Sequence, residues 1–258
     1  MNNKILFITL TLSGASLATA SFAQVKADGN WRGSGGAALS ATSGNTSSTS
    51  LLLNADAARA TASDKIILGG AINYARSKVA GVQETTANKW ALGGEYQYNL
   101  TTRVYGFGKL GLEADKLIFL SRRAALTTGL GYKVIDTPDL TFDVLGGVGY
   151  ITDKYSSAQT IAGKTDTSFS RATLYLAEES NHKLSATTSF KQRLDLYPGV
   201  SGDKAFLAKF NAGLSVAMSN TMNLTVGVTD AYNSKPGAGL KKNDFGLFTG
   251  VNVKFGAL

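Results

Sequence analysis

Cysteine is absent from this chain, so neither a disulfide framework nor a thiolate metal site can contribute to its fold. A single histidine, His182, excludes the imidazole clusters on which most metal centres depend. Proline is nearly as scarce, with 3 in 258 residues. That suits long uninterrupted strands, since proline cannot donate to a sheet ladder. Beyond the first 20 or so residues no apolar run is long enough for a membrane-spanning helix, which excludes a helical bundle in lipid. The formal charge of +8 is scattered singly. Without a basic cluster or an aromatic-basic platform, nucleic acid is excluded as a partner.

What is present begins with a leader. Lys4 precedes an apolar stretch over 5–20, and Ser21-Phe22-Ala23 supplies small residues at the −3 and −1 positions. The pattern predicts a signal peptide over 1–23, Sec-dependent export and a mature domain over 24–258 with a charge of +7.

The mature chain repeats one grammar. From Phe245 to Phe255, Phe245, Leu247, Thr249, Val251, Val253 and Phe255 fall on one face, and Gly246, Phe248, Gly250, Asn252 and Lys254 on the other. Similar segments recur near 30–42, 49–60, 65–77, 86–98, 103–115, 119–134, 140–152, 168–178, 184–196, 204–217 and 222–233, closing with 243–256. About twelve strands, an even number, predict an all-β transmembrane antiparallel up-and-down barrel. Short connections carry turn chemistry at 62–64, 99–102, 136–139, 180–183 and 219–221. Longer ones fall at 43–48, 80–85, 153–167, 199–203 and 234–242, and the link at 115–118 is short where a long one is due. A soluble lipocalin-like barrel would show the same alternation. Aromatics near strand ends (Trp31, Tyr74, Trp90, Tyr98, Tyr132, Tyr150, Tyr232, Phe255) favour lipid, where they form girdles.

Several stretches carry a resemblance. They are Trp31-Arg32-Gly33, Ser43-Gly44-Asn45-Thr46, Tyr96-Gln97-Tyr98-Asn99-Leu100-Thr101, Arg103-Val104-Tyr105, Leu112-Glu113-Ala114-Asp115 and Gly129-Leu130-Gly131-Tyr132 ahead of the Pro138 turn. In this order they resemble the YdiY-like, salt-induced outer-membrane protein family, a domain family of unknown function. The resemblance covers the mature chain and implies an outer-membrane barrel of a Gram-negative bacterium, with no catalytic residues to carry over. Gly250, Val253 and Phe255 resemble the C-terminal signal read by the barrel-assembly machinery, although the chain ends Gly256-Ala257-Leu258 rather than on the aromatic.

Parity places a charged set in the lumen: Arg32, Asp56, Lys89, Glu95, Lys109, Glu113, Asp115, Arg123, Lys133, Asp143, Arg171, Glu179, Lys191, Arg193, Asp195 and Lys209. With Lys254 the basic residues outnumber the acidic ones. An open lumen of this kind would be a narrow, weakly anion-preferring channel for small anionic solutes. If the same charges pair across the lumen, the barrel is sealed and structural, supporting the envelope under salt or osmotic stress, with outer-membrane lipids and lipopolysaccharide as its partners. Lys154 and Lys164 are then the positions for phosphate contacts, offset by Asp153 and Asp166. Asn181-His182 is read as a solvated turn rather than part of a hydrolase, which needs a nucleophile within reach of the imidazole. Glu178-Glu179 and the Glu113/Asp115 pair lack the six to eight oxygens calcium requires, and Arg123 is the expected partner of the latter two. Gly-rich stretches lack a following helix or P-loop lysine. No enzyme activity, metal or cofactor is expected.

Overall fold

In the computed structural model, residues 26–42, 46–79 and 82–256 are described; the predicted leader and its cleavage site lie outside them. Twelve strands close into one antiparallel barrel in chain order. They are β1 (Trp31–Thr42), β2 (Thr46–Ala60), β3 (Asp64–Val79), β4 (Val82–Asn99), β5 (Val104–Asp115), β6 (Leu120–Asp136), β7 (Leu140–Ile161), β8 (Lys164–Lys183), β9 (Thr188–Pro198), β10 (Phe206–Ala217), β11 (Met222–Asn233) and β12 (Asn243–Gly256). The up-and-down transmembrane barrel expected from period two is therefore the fold. Closure satisfies main-chain donors and acceptors around the ring, and this substitutes for the missing disulfides.

The outer wall follows the predicted parity. Leu68, Ile72, Leu92, Leu110, Leu126, Leu130, Val148, Leu174, Leu176, Leu247 and Val253 are exposed around the ring. Trp31, Tyr96, Tyr98, Tyr132 and Phe255 edge the end that holds the termini, and Trp90, Tyr150 and Phe245 lie toward the other end. About 3.3 Å per residue and a tilt of about 40° separate Phe245 from Phe255 by roughly 25 Å, the height of a lipid-facing apolar band.

Two connections depart from expectation, and the outer link at 115–118 is short, as read. The stretch read as a loop over 153–167 is a hairpin, with β7 running to Ile161 and β8 starting at Lys164. Its tip is a two-residue turn with Ala162 at φ 52° and Gly163 at φ 82°, the paired left-handed geometry that matches strand twist. The turn expected at 180–183 lies instead at 184–187. Asn181 and His182 pair with Thr141 and Leu140 on one side and with Lys191 and Phe190 on the other. Ser185 Oγ accepts from the backbone N–H of Thr187 and Thr188, supplying the turn chemistry one step later. The short outer link is a single 3₁₀ turn, Lys116–Ile118, capped when Asp115 accepts from the Leu117 N–H.

Candidate functional site

The barrel's chemistry is gathered in its lumen, where two layers of side chains block the centre. The first rests on aromatics. Phe107 of β5, Tyr175 of β8 and Tyr197 of β9 meet with ring centroids 5.6 and 5.1 Å apart, joined by Tyr105, Leu145, Ile151 and Leu207. These bulky side chains share inward parity with the charged positions. Tyr175, for example, is in step with Arg171 and Glu179. That was the available signal for an interior the sequence reading assigned to charges alone.

Around this cluster a charge network spans the lumen. Arg193 donates to Glu179 at 2.6 Å, to Asp195 at 3.2 Å, to Glu95 at 3.4 Å and to the Tyr175 hydroxyl at 3.0 Å. Lys109 bonds Asp195 at 3.0 Å, Tyr175 donates to the same carboxylate at 2.6 Å, and Lys191 meets Glu179 at 3.2 Å. Strands β4 and β5 are thereby tied to β8 and β9 across the ring. Three carboxylates bond three cations here, and Lys65 of β3 lies beside Glu179, Glu95 and Asp143.

The second layer lies four residues further along β5, about 13 Å along the strand. Arg123 bonds Glu113 at 2.9 Å and makes a two-pronged contact with Asp153 at 2.6 and 2.9 Å. Lys209 reaches Glu113 from β10, and Arg171 joins Asp153 at 2.6 Å to Asp203. Three carboxylates again face three cations. Asp153 and Asp203 were placed in outer loops by the sequence reading. The extension of β7 carries Asp153 inward, and the connection 199–205 folds against β8 and delivers Asp203. Within it the Val200 N–H donates to the Ala172 carbonyl, and Gly202 adopts φ 63° beside Ser170. Lys235 holds the loop from above by donating to the Asp203 carbonyl at 2.6 Å. Leu120, Tyr155, Ile161 and Phe169 form an apolar cap over this layer.

The remaining predicted residues occupy defined places. Lys89 meets Asp244 at 3.7 Å, and Asp143 accepts from the Tyr105 hydroxyl at 3.0 Å. Asp56 accepts from Ser34, and Lys133 lies 3.9 Å from Asp136. Asp115 does not join Arg123 as expected: a register shift between Glu113 and Asp115 turns it toward the 3₁₀ cap. Arg32 pairs with Asp28 at 2.5 Å near the terminal end, and its guanidinium holds that carboxyl well below the usual carboxylate range. Glu178 and Glu179 diverge. Glu179 enters the lumen network, while Glu178, on the other face, accepts from Gln192 at 3.3 Å. Gly250 lies on the inner parity of β12, while Val253 and Phe255 are exposed on the outer wall.

Opposite the charged layers, beside Asp56, the lumen carries a chain of amides and hydroxyls. Asn54 donates to Asn252 at 3.3 Å, Asn252 to Thr225 at 3.0 Å, and Thr225 meets Ser215 at 2.9 Å. Gly36 makes the first bond possible, because a Cβ there would fall 2.1 Å from Asn252 Oδ1 and 2.6 Å from Asn54 Oδ1.

Two cavities lie in the lumen, the first among the charged layers themselves. One of about 100 Å³ touches Glu95, Lys109, Glu113 and Arg193, and one of about 210 Å³ under the outer loops touches Lys89, Asp115, Tyr155 and Asp244. His182, placed in a strand rather than a turn, lies 3.3 Å from the hydroxyl of Ser180. Ser180 is only 3% exposed, which keeps that hydroxyl from any substrate. Among the described residues no group of His, Asp and Glu is arranged to hold a metal ion.

Comparison with known proteins gives three results. The family described as "Protein of unknown function, DUF481" matches residues 35–255. Uncharacterized protein YdiY of Escherichia coli (strain K12) is 25% identical over 160 residues, which cover 62% of this chain and 59% of that protein, less than two thirds of its length. The crystal structure of the COG4313 outer membrane channel from Pseudomonas putida F1 has a TM-score of 0.50 at 11% identity, covering 92% of this chain and 99% of that one. The structural likeness is one of fold.

Proposed function

The chain belongs to the DUF481 family of unknown function, and from that membership and the lumen geometry we propose that it is a sealed structural barrel of the Gram-negative outer membrane. In this reading it is exported by the Sec route, inserted by the barrel-assembly machinery, and supports the envelope under salt or osmotic stress without catalysing a reaction. One observation carries it: six lumen cations bond carboxylates, with Lys109–Asp195, Arg193–Glu95 and Lys209–Glu113 bridging β5, β9, β4 and β10 across the lumen. Interlocked, charge-paired layers narrow any water path and weaken the positive field that would draw anions. Outside, Lys154 and Lys164 on the β7–β8 hairpin are the lipopolysaccharide-facing cations; Lys164 shares its charge with Asp166 at 2.8 Å.

A narrow, weakly anion-preferring channel is the second reading. The cavity among the charged layers favours it, since a shift of the Glu113–Arg123–Lys209 group that also borders the outer cavity would join the two. Planar-bilayer recording of refolded protein separates the two. Verified insertion with silent bilayers is the expected result. Steady single-channel steps with a reversal potential favouring anions would overturn the sealed reading and make the lumen cations the functional site.

A further inference from the structure

One cross-strand pair on the outer wall departs from the charge matching of the lumen. Arg122 of β6 and Lys154 of β7 are register partners, directly opposite one another. Arg122 shares the face of Leu126 and Leu130, and Lys154 that of Val148 and Tyr150, so both side chains lie on the outer face, and both are exposed. The next step of the same ladder, Arg123 with Asp153, faces inward and is a salt bridge. Cations set directly opposite have their Cβ atoms about 5 Å apart and repel. Among the described residues no carboxylate pairs with either of them. Asp153 is held inside by Arg123 and Arg171, Asp166 meets Lys164, and Asp115 caps the 3₁₀ turn. Lys116, exposed on that turn, adds a third cation at the same end.

Height and surroundings define what can neutralise these charges. Leu126 and Tyr150, themselves register partners, lie four residues below Arg122 and Lys154. At about 3.3 Å per residue and a tilt of about 40°, that is about 10 Å nearer the membrane centre. The cations therefore stand above the outer aromatic belt, at head-group level. Between them and that belt come Ala124 and Thr152, small side chains that leave the wall open, and Ser168, opposite Lys154 on β8, adds an exposed hydroxyl. An anion with acyl chains fits, its chains along Leu126, Leu130 and Val148 and its head on the cations. A phosphodiester head carries a single negative charge and leaves one cation over. A phosphomonoester carries about 1.5 to 2 negative charges and three acceptor oxygens, which suits the Arg122 fork, the Lys154 ammonium and the Ser168 hydroxyl together.

We propose that Arg122 and Lys154 form a seat for the phosphomonoester of an outer-leaflet glycolipid, the phosphorylated lipid A moiety of lipopolysaccharide. The proposal rests on the outer-membrane reading above and sharpens it. The principal contact moves from Lys154 with Lys164 to Lys154 with Arg122, because Lys164 already shares its charge with Asp166. Whether the lumen conducts has no bearing on the seat.

Native mass spectrometry of the refolded protein in detergent micelles, titrated with lipid A bearing both phosphates, reads the affinity. Arg122→Gln with Lys154→Gln should weaken binding about ten-fold or more, the loss of at least one charge-assisted bond. Lys164→Gln should change it by less than about two-fold. Arg122→Glu sets an acid opposite Lys154, so it should abolish binding while keeping or raising the urea midpoint, which separates loss of the seat from loss of the fold. Dephosphorylated lipid A, phosphatidylglycerol (a phosphodiester) and inorganic phosphate should each bind about ten-fold more weakly or worse. Equal binding of any of those three, full affinity in the double variant or in Arg122→Glu, a lowered midpoint in Arg122→Glu, or an equal loss in Lys164→Gln would each overturn the proposal. Absence of a heat-modifiable gel shift in the wild-type protein would overturn the membrane reading and the proposal with it. Conducting bilayers with lipid A binding intact would overturn the sealed lumen alone.

Discussion

Replacing Arg193 by methionine tests the central network most directly. Its guanidinium makes five hydrogen bonds to Glu95, Glu179, Asp195 and Tyr175, and the side chain is only 6% exposed. Methionine keeps much of the length and removes the charge. Three carboxylates then keep Lys109 and Lys191 as bonded partners. Breaking a buried pair from one side costs about 3–5 kcal/mol, against about 0–1 for an exposed one. A loss near 4 kcal/mol is roughly a thousand-fold shift in the folding equilibrium. Urea unfolding of the protein refolded into lipid vesicles measures it, with Lys183→Ala as the internal standard. Lys183 and Asp139 lie 3.9 Å apart and are mostly exposed, so that variant should move stability by no more than about 0.5 kcal/mol. Adding Glu179→Gln to Arg193→Met removes one orphaned charge and should recover part of the loss, the two sites being in direct contact. In bilayers Arg193→Met should produce cation-preferring steps, since the lumen loses one positive charge among its carboxylates. A loss below about 1 kcal/mol with silent bilayers would refute the claim that these pairs both hold and shut the lumen.

Three further outcomes follow from local geometry. Gly36→Ala should lower the urea midpoint by the equivalent of about 1–3 kcal/mol, because its methyl displaces the Asn54–Asn252 bond and strands buried amides; an unchanged midpoint would sink that account. Gly202→Ala, at φ 63° and with its Cβ 1.9 Å from the Ser170 carbonyl, should expel the 199–205 loop from the lumen, read as faster protease cleavage after Lys204 in folded, heat-modifiable protein. Phe255→Ala should reduce the yield of heat-modifiable barrel in cells more than Phe245→Ala does. Both rings are exposed on the outer wall, but only Phe255 lies in the stretch that resembles the C-terminal assembly signal.

The number of strands, their face parity and the lipid-facing wall were legible in the sequence because a two-residue period is a local property. Trp90, Leu92, Tyr96 and Tyr98 need no distant partner to declare one side of a strand. The inward direction of Arg193, Glu95 and Lys109 was equally legible. Their pairing was not, since Arg193 and Glu95 are 98 residues apart and meet only when the ring closes. Turn chemistry misled at two places. Asn181-His182 has the composition of a turn yet pairs on both edges, and the Gly- and Ser-containing 153–167 stretch forms a tight hairpin whose first residue is drawn into the lumen. In each case cross-strand bonding outweighed a local preference of comparable size.

By itself, then, the sequence determined an exported-looking, cysteine-free chain of twelve amphipathic strands with charges on the inner face, because those features lie in composition and short period. Only the tertiary structure decided that six carboxylates and six cations in the lumen bond one another in two layers and that aromatic rings pack beside the first of them. These outcomes depend on barrel closure, shear and strand tilt, which bring residues from opposite ends of the chain within bonding distance, and no local pattern encodes that proximity.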